Sequence, residues 1–151
     1  MLFRSRGVAS YLVDIGGEIR VAGQSARGDN WRLAIERPDG SFNMVYQPVS
    51  IRDAAIATSG EYRNFYMLDG RRISHTLDPR TGYPIDHSGY SVSVVASGAA
   101  LADAWATALN VLGPDDGYQL AAEHGIAAFF IYDVDGELSH RFTEAFRRYL
   151  D

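Results

Sequence analysis

Cysteine and lysine are both missing from the 151 residues. Without cysteine there is no thiolate nucleophile, no sulfur metal site and no disulfide, and the redox compartment cannot be read from the chain. Without lysine there is no Schiff-base amine and no phosphate-loop lysine, which leaves arginine as the cationic side chain for any bound anion. No apolar run approaches the ~18 residues of a membrane span. A broad basic field is also lacking: the formal net charge is -5 and the pI about 5.3, so no nucleic-acid partner is expected. Met1–Ser10, "MLFRSRGVAS", carries arginines where a signal peptide needs its apolar core, and the chain as written is expected not to direct its own export. Internal repeats and low-complexity tracts are absent too. What remains is a length suited to one ordinary domain, 1–151, with a buried core.

The pattern along the chain is mainly that of short strands. "YLVDI", Gly16-Gly17 and "EIRVAG" read as two strands around a tight bend. Trp31–Glu36 and Phe42–Gln47 flank a Pro-Asp-Gly turn and read as an antiparallel pair. Two more strands are expected around Asp69-Gly70. "YSVSVVA", Tyr90–Ala96, is a further strand. "GAALADAWATALNVLG" is the clearest helix, with Ser97 as expected N-cap and Gly113-Pro114 as its stop. "DDGYQLAAEHG" reads as a second, shorter helix. The tail "IAAFFIYDVDGELSHRF" reads as a buried strand, an Asp135-Gly136 turn and an edge strand. The expected class is α+β, a mixed, largely antiparallel sheet with two main helices.

At ~100° per residue, Leu101, Trp105, Ala108, Leu109 and Leu112 make one apolar stripe on the first helix. Asp103, Thr107 and Asn110 fall together on roughly the opposite side. Asp103 and Thr107 are four apart, which directs a carboxylate and a hydroxyl the same way near a helix N-terminus. Hard oxygen donors suit Mg²⁺, although an ordinary solvated helix face satisfies the same pattern.

"SHTLDPRTGYP", Ser74–Pro84, holds more polar groups than a turn requires. The glycine and one proline or aspartate suffice for folding, so His75, Asp78 and Arg80 are surplus on a first reading. Gly16-Gly17 fits a bend with positive φ, and "ATSGEY", Ala57–Tyr62, fits a polar turn ending a strand. Tyr62, Phe65 and Tyr66 read as sheet and core aromatics. His87, His124 and His140 stand at no metal-binding spacing and receive no role.

Taken together, "YLVDIGGEIRVAG", Trp31 with "AIERP", "AIATSGEY", "SHTLDPRTGYP", "SVSVVA" and "ADAWATALNVLG" resemble the ApbE family of FAD:protein FMN transferases, in the same order and over nearly the whole chain. The resemblance implies that Asp103 and Thr107 bind Mg²⁺. It also implies that His75 is catalytic and that the main chain at Leu77 lies against FAD. Gly16, Gly17, Ser59 and Gly60 match motifs around the cofactor. Ala106 falls where some relatives have a further ligand, but its methyl cannot coordinate. Family members are typically about twice this length, and the part preceding Met1 is the one not represented. In the family that part carries the export signal or lipobox and a Lys-Gly-containing helix near the metal, and the family's usual place is the cell envelope. The chain is therefore expected to correspond to the C-terminal half, with a missing N-terminal half as a possible partner.

The family reaction implied is attack by an acceptor-protein threonine on the FMN-side phosphorus of FAD, with release of AMP. Acceptors of this kind are subunits of redox-driven ion pumps or electron-transfer proteins. Histidine is the side chain suited to take the threonine proton near neutral pH. On chemical grounds Asp78 would orient the loop or the imidazole, and Arg80 would meet phosphate. Two alternatives accompany this reading: an FAD pyrophosphatase giving FMN and AMP, and a non-catalytic half that binds a complementary chain.

Overall fold

A computed structural model describes residues 2–39, 44–60, 65–68, 71–87 and 89–151. Six strands form the main sheet: β1 (Tyr11–Ile15), β2 (Glu18–Ala22), β5 (Ala55–Gly60), β8 (Gly89–Ala96), β9 (Ala127–Val134) and β10 (Glu137–Phe142), adjacent in that order. Two hairpins stand apart from it, β3 (Trp31–Glu36) with β4 (Val45–Ile51), and β6 (Phe65–Leu68) with β7 (Arg71–Ser74). Every strand pair among the described residues is antiparallel. A short α1 (Leu2–Ser5), the long α2 (Ala99–Glu123) and a 3₁₀ helix (Glu144–Tyr149) complete the α+β fold.

The main sheet is covered on both faces, which is why "AAFFI" in β9 is a continuous apolar run. On one face Ala128 and Phe130 join Val92 and Val94 against Ala106, Leu109 and Ala121 of α2. On the other, Phe129 and Ile131 meet Ile35, Val49, Ile51 and Phe146. Burying each such phenylalanine contributes about 1.5–3 kcal/mol.

Several boundaries differ from the sequence pattern. Residues 45–51, rather than 42–47, form the second strand of the first hairpin; residues 40–43 lie outside the described ones. Val49 and Ile51 face the core and draw the pairing past Pro48, which sits opposite Ala34 in this two-stranded sheet. Ala57–Gly60 is not a turn but the end of β5, where the Thr58 and Ser93 hydroxyls bond at 2.7 Å across paired positions. The expected turn at Asp69-Gly70 and the residue Tyr62 lie outside the described residues, as do the side chains of Phe65 and Tyr66.

Helix α2 bends at Gly113 (φ 84°, ψ 176°) and continues from Pro114, so the two expected helices meet end to end. Its N-cap is Gly98 rather than Ser97, with no side-chain cap. The buried stripe is Ala102, Ala106, Leu109 and Asn110, turned by about one residue step, ~100°, from the one that bulk apolarity selects. Leu101 is 49% exposed, whereas Ala102 and Ala106 are fully enclosed. Small side chains let the helix axis lie close to β5 and β8; a leucine stripe would hold it away. Asn110, expected beside Asp103 on the outer face, is buried instead.

Candidate active site

That rotation of α2 places Asp103 and Thr107 at the border of its buried face rather than opposite the sheet. The Thr107 hydroxyl bonds the Ser59 hydroxyl on β5 at 2.9 Å, a contact that a helix face turned wholly to solvent cannot make. Ser59 points to this side because β5 alternates, with Ile56 and Thr58 directed to the opposite face. Asp103 lies one turn before Thr107, and both line a cavity of about 500 Å³.

The β1–β2 turn forms a second wall of the cavity. Gly16 and Gly17 have φ of 71° and 104°, conformations that L side chains rarely adopt. Asp14 Oδ1 accepts the Gly17 N–H at 3.0 Å, which closes the turn. Glu36 enters from β3, next to a register shift between Ile35 and Glu36. Bulges of this kind redirect side chains beside functional sites.

His75 and Thr76 supply the third wall, at the base of a stiff finger. Ile85 N–H donates to Thr76 O at 3.0 Å and Asp78 N–H to Tyr83 O at 2.8 Å, so residues 76–78 and 83–85 run as a short ladder. At the tip, Asp78 O accepts from Thr81 N–H and Gly82 N–H, with Gly82 at φ 75°. The Asp78 carboxylate accepts the Arg80 backbone N–H at 2.8 Å and grips its guanidinium through both oxygens, the shortest bond 2.7 Å from Nη2. These bonds to Arg80 hold the Asp78 carboxyl below its ordinary pKa. Asp78 therefore shapes the loop and fixes Arg80. Arg80, expected on chemical grounds to meet phosphate, does not line the cavity.

Asp14, Glu18, Glu36 and Asp103 make the cavity acidic, and no arginine lines it among the described residues. Among those residues no group of three or more His, Asp or Glu side chains is arranged to hold a metal ion. Among the hard oxygens lining the cavity, those of Asp103 and Thr107 stand together on α2, with the Ser59 hydroxyl beside them. Two oxygen donors one helical turn apart on an open cavity fit Mg²⁺, which keeps several waters and takes few protein ligands.

Residues 1–130 match the model of the ApbE family. The chain belongs to that family. It is 42% identical, over 99% of its length, to a FAD:protein FMN transferase of Klebsiella pneumoniae, of which it covers 43%. It is 44% identical to that of Escherichia coli K12 over 86% of its length, covering 37% of the relative. The apo flavinyl transferase ApbE of Pseudomonas stutzeri superposes with a TM-score of 0.85 at 41% identity, over 99% of this chain and 46% of that one. Flavin transferase ApbE from Vibrio cholerae does so with 0.86 at 38%, over 99% and 47%. The chain spans less than half the length of these relatives.

This ApbE-family segment brings Gly16, Gly17, Ser59, Gly60, His75, Asp103 and Thr107 to one cavity. Leu77 stands apart: it pairs with Pro84 on the finger, its side chain 57% exposed, and it does not line the cavity. Asp14, Glu18 and Glu36 have no place in the sequence reading. Aspartate before a Gly-Gly turn is a recognisable turn signal, so Asp14 had a local cue. Glu36 had none, because only the packing of the β3–β4 hairpin brings it here.

Proposed function

We propose that this segment serves Mg²⁺-dependent transfer of FMN from FAD to a threonine of an acceptor protein, with release of AMP. The observation that carries the proposal is the charge of the cavity. A dinucleotide diphosphate does not enter a chamber lined, among the described residues, by four carboxylates and no arginine unless a cation accompanies it. Asp103 and Thr107 are the residues that would hold that cation. When bound, Mg²⁺ supplies charge neutralisation to the phosphates.

The chain's own residues would contribute further parts of the reaction. The Gly16-Gly17 turn and the end of β5 at Ser59-Gly60 leave room for close approach of a ligand. His75, which lines the cavity from the base of the finger, would take the acceptor hydroxyl's proton as the threonine oxygen attacks. In that step a bond forms between the threonine oxygen and the FMN-side phosphorus. The bond from that phosphorus to the bridging oxygen breaks, and AMP leaves with the bridging oxygen. Positioning and charge stabilisation together supply most of the rate in such a reaction. The acceptors would be electron-transfer proteins or subunits of redox-driven ion pumps.

The test uses the segment within a full-length or reconstituted enzyme, with FAD, Mg²⁺ and a threonine-containing acceptor peptide. Covalent flavin on the peptide is the expected product; FMN and AMP without covalent flavin would make the protein an FAD pyrophosphatase. Asp103→Asn should weaken the dependence of FAD binding on Mg²⁺, and Thr107→Val should do so less. An unchanged Mg²⁺ effect in Asp103→Asn would sink the metal assignment.

A further inference from the structure

An uninterrupted helix would bond the N–H of residue 114 to the carbonyl of residue 110. Residue 114 is proline and has no N–H to give. The Asn110 carbonyl, on a residue only 2% exposed, is met instead by His87 Nε2 at 2.7 Å. The tautomer follows from the other ring nitrogen. Gly89 N–H donates to Nδ1 at 3.0 Å, so Nδ1 is the acceptor and Nε2 carries the hydrogen.

The imidazole sits in a seat shaped for it. A Cβ on Gly113 would stand 3.1 Å from its Cδ2, and one on Gly89 would stand 2.9 Å from its Cε1 and Nδ1. Beyond the bend, a Cβ on Gly117 would come within 2.6 Å of the Leu109 carbonyl oxygen, so the two halves of α2 touch backbone to backbone. His87 is thus wedged at the junction that sets the direction of Ala99–Leu112.

We propose that His87 is a positioning residue: it replaces the donor that Pro114 withdraws and thereby fixes the first half of α2, holding Asp103 and Thr107 over the cavity. Asn110 is three residues from Thr107, whose bond to Ser59 is 2.9 Å long. A displacement of about 1 Å would break that bond.

Two readouts on the full chain test this, and only the second rests on Asp103 and Thr107 being cation ligands. Residual dipolar couplings measure the angle between the halves of α2, and titration with MgCl₂ in the presence of FAD measures cation affinity. His87→Ala, studied while folded, should change the angle and weaken Mg²⁺ affinity on the order of 10-fold. His87→Gln, whose amide offers both a donor and an acceptor, should restore both. A merely structural histidine would lower the melting temperature of His87→Ala while leaving both readouts of the folded protein unchanged, and that result overturns the proposal. If His87→Ala does not fold, a folded His87→Gln with a shifted angle overturns it equally. A wild-type chain that binds no Mg²⁺ counts against the cation ligands alone, and the angle then decides the role of His87.

Discussion

His75 lines the cavity from the base of the finger, and its chemistry separates from that of its neighbours. A general base contributes typically 10²–10⁴-fold to rate and little to ground-state binding. His75→Ala in a full-length or reconstituted enzyme should therefore lower the transfer rate by about that factor while FAD affinity stays nearly constant. Stopped-flow transfer alongside FAD titration checks it; parallel losses of rate and affinity would make His75 a binding residue. Asp78 and Arg80 belong to a different class. They bond each other, and Asp78 also closes the tip of the finger, so the surplus in "SHTLDPRTGYP" divides into one cavity residue and one internal clamp.

At the scale of elements, the finger depends on a local device, and α2, besides the His87 contact at its bend, on its packing against the sheet. For the finger it is the Asp78–Arg80 clamp, whose pH dependence has a definite sign. The folded-state pKa of Asp78 is lowered, first by its side-chain bond to Arg80. The stabilisation is therefore complete above the carboxyl's unfolded value, near 3.9, and is lost as pH falls through the lower folded value. Amide protection at Thr81 and Gly82 should persist below pH ~4 in the wild type and be weaker at neutral pH in Asp78→Ala. Hydrogen exchange followed by NMR measures both. For α2 that packing rests on the small-residue stripe at Ala102 and Ala106, which sets how near the helix comes to β5 and hence whether Thr107 reaches Ser59.

Over the molecule as a whole, large apolar side chains stay exposed on several elements. Ile15 on the edge strand β1 is 72% exposed and Leu101 on α2 is 49% exposed. A second cavity of about 520 Å³, between β1, β2 and the start of α2, is lined largely by Phe3, Tyr11, Val13 and Ile15. The relatives have more than twice as much chain, and the acidic cavity is open. Residues 1–151 in isolation should accordingly transfer FMN very weakly or not at all. In-gel flavin fluorescence on an acceptor, at a rate comparable with that of the full-length relatives, would contradict this.

Local pattern by itself determined β1, β2, β3, β9, β10 and the break in α2, because alternation, Gly-Gly, Asp-Gly and Gly-Pro act over a few residues. The resemblance of the chain's segments taken together, rather than any one of them, singled out Gly16, Gly17, Ser59, Gly60, His75, Asp103 and Thr107, all of which line one cavity. Tertiary structure decided what no window of sequence contains. The rotation of α2 depends on how closely the helix packs on the sheet, and two stripes of helical spacing, about 100° apart, compete in the same sixteen letters. Pairing with β8 turned a polar "TSG" into strand, and core burial of Val49 and Ile51 carried β4 through a proline. Glu36 reached the cavity because a separate hairpin packs against the sheet. His87 found its carbonyl because Pro114, twenty-seven positions later, left one to be met. Each of these rests on contacts between distant segments, whose energies exist only once the chain has closed on itself.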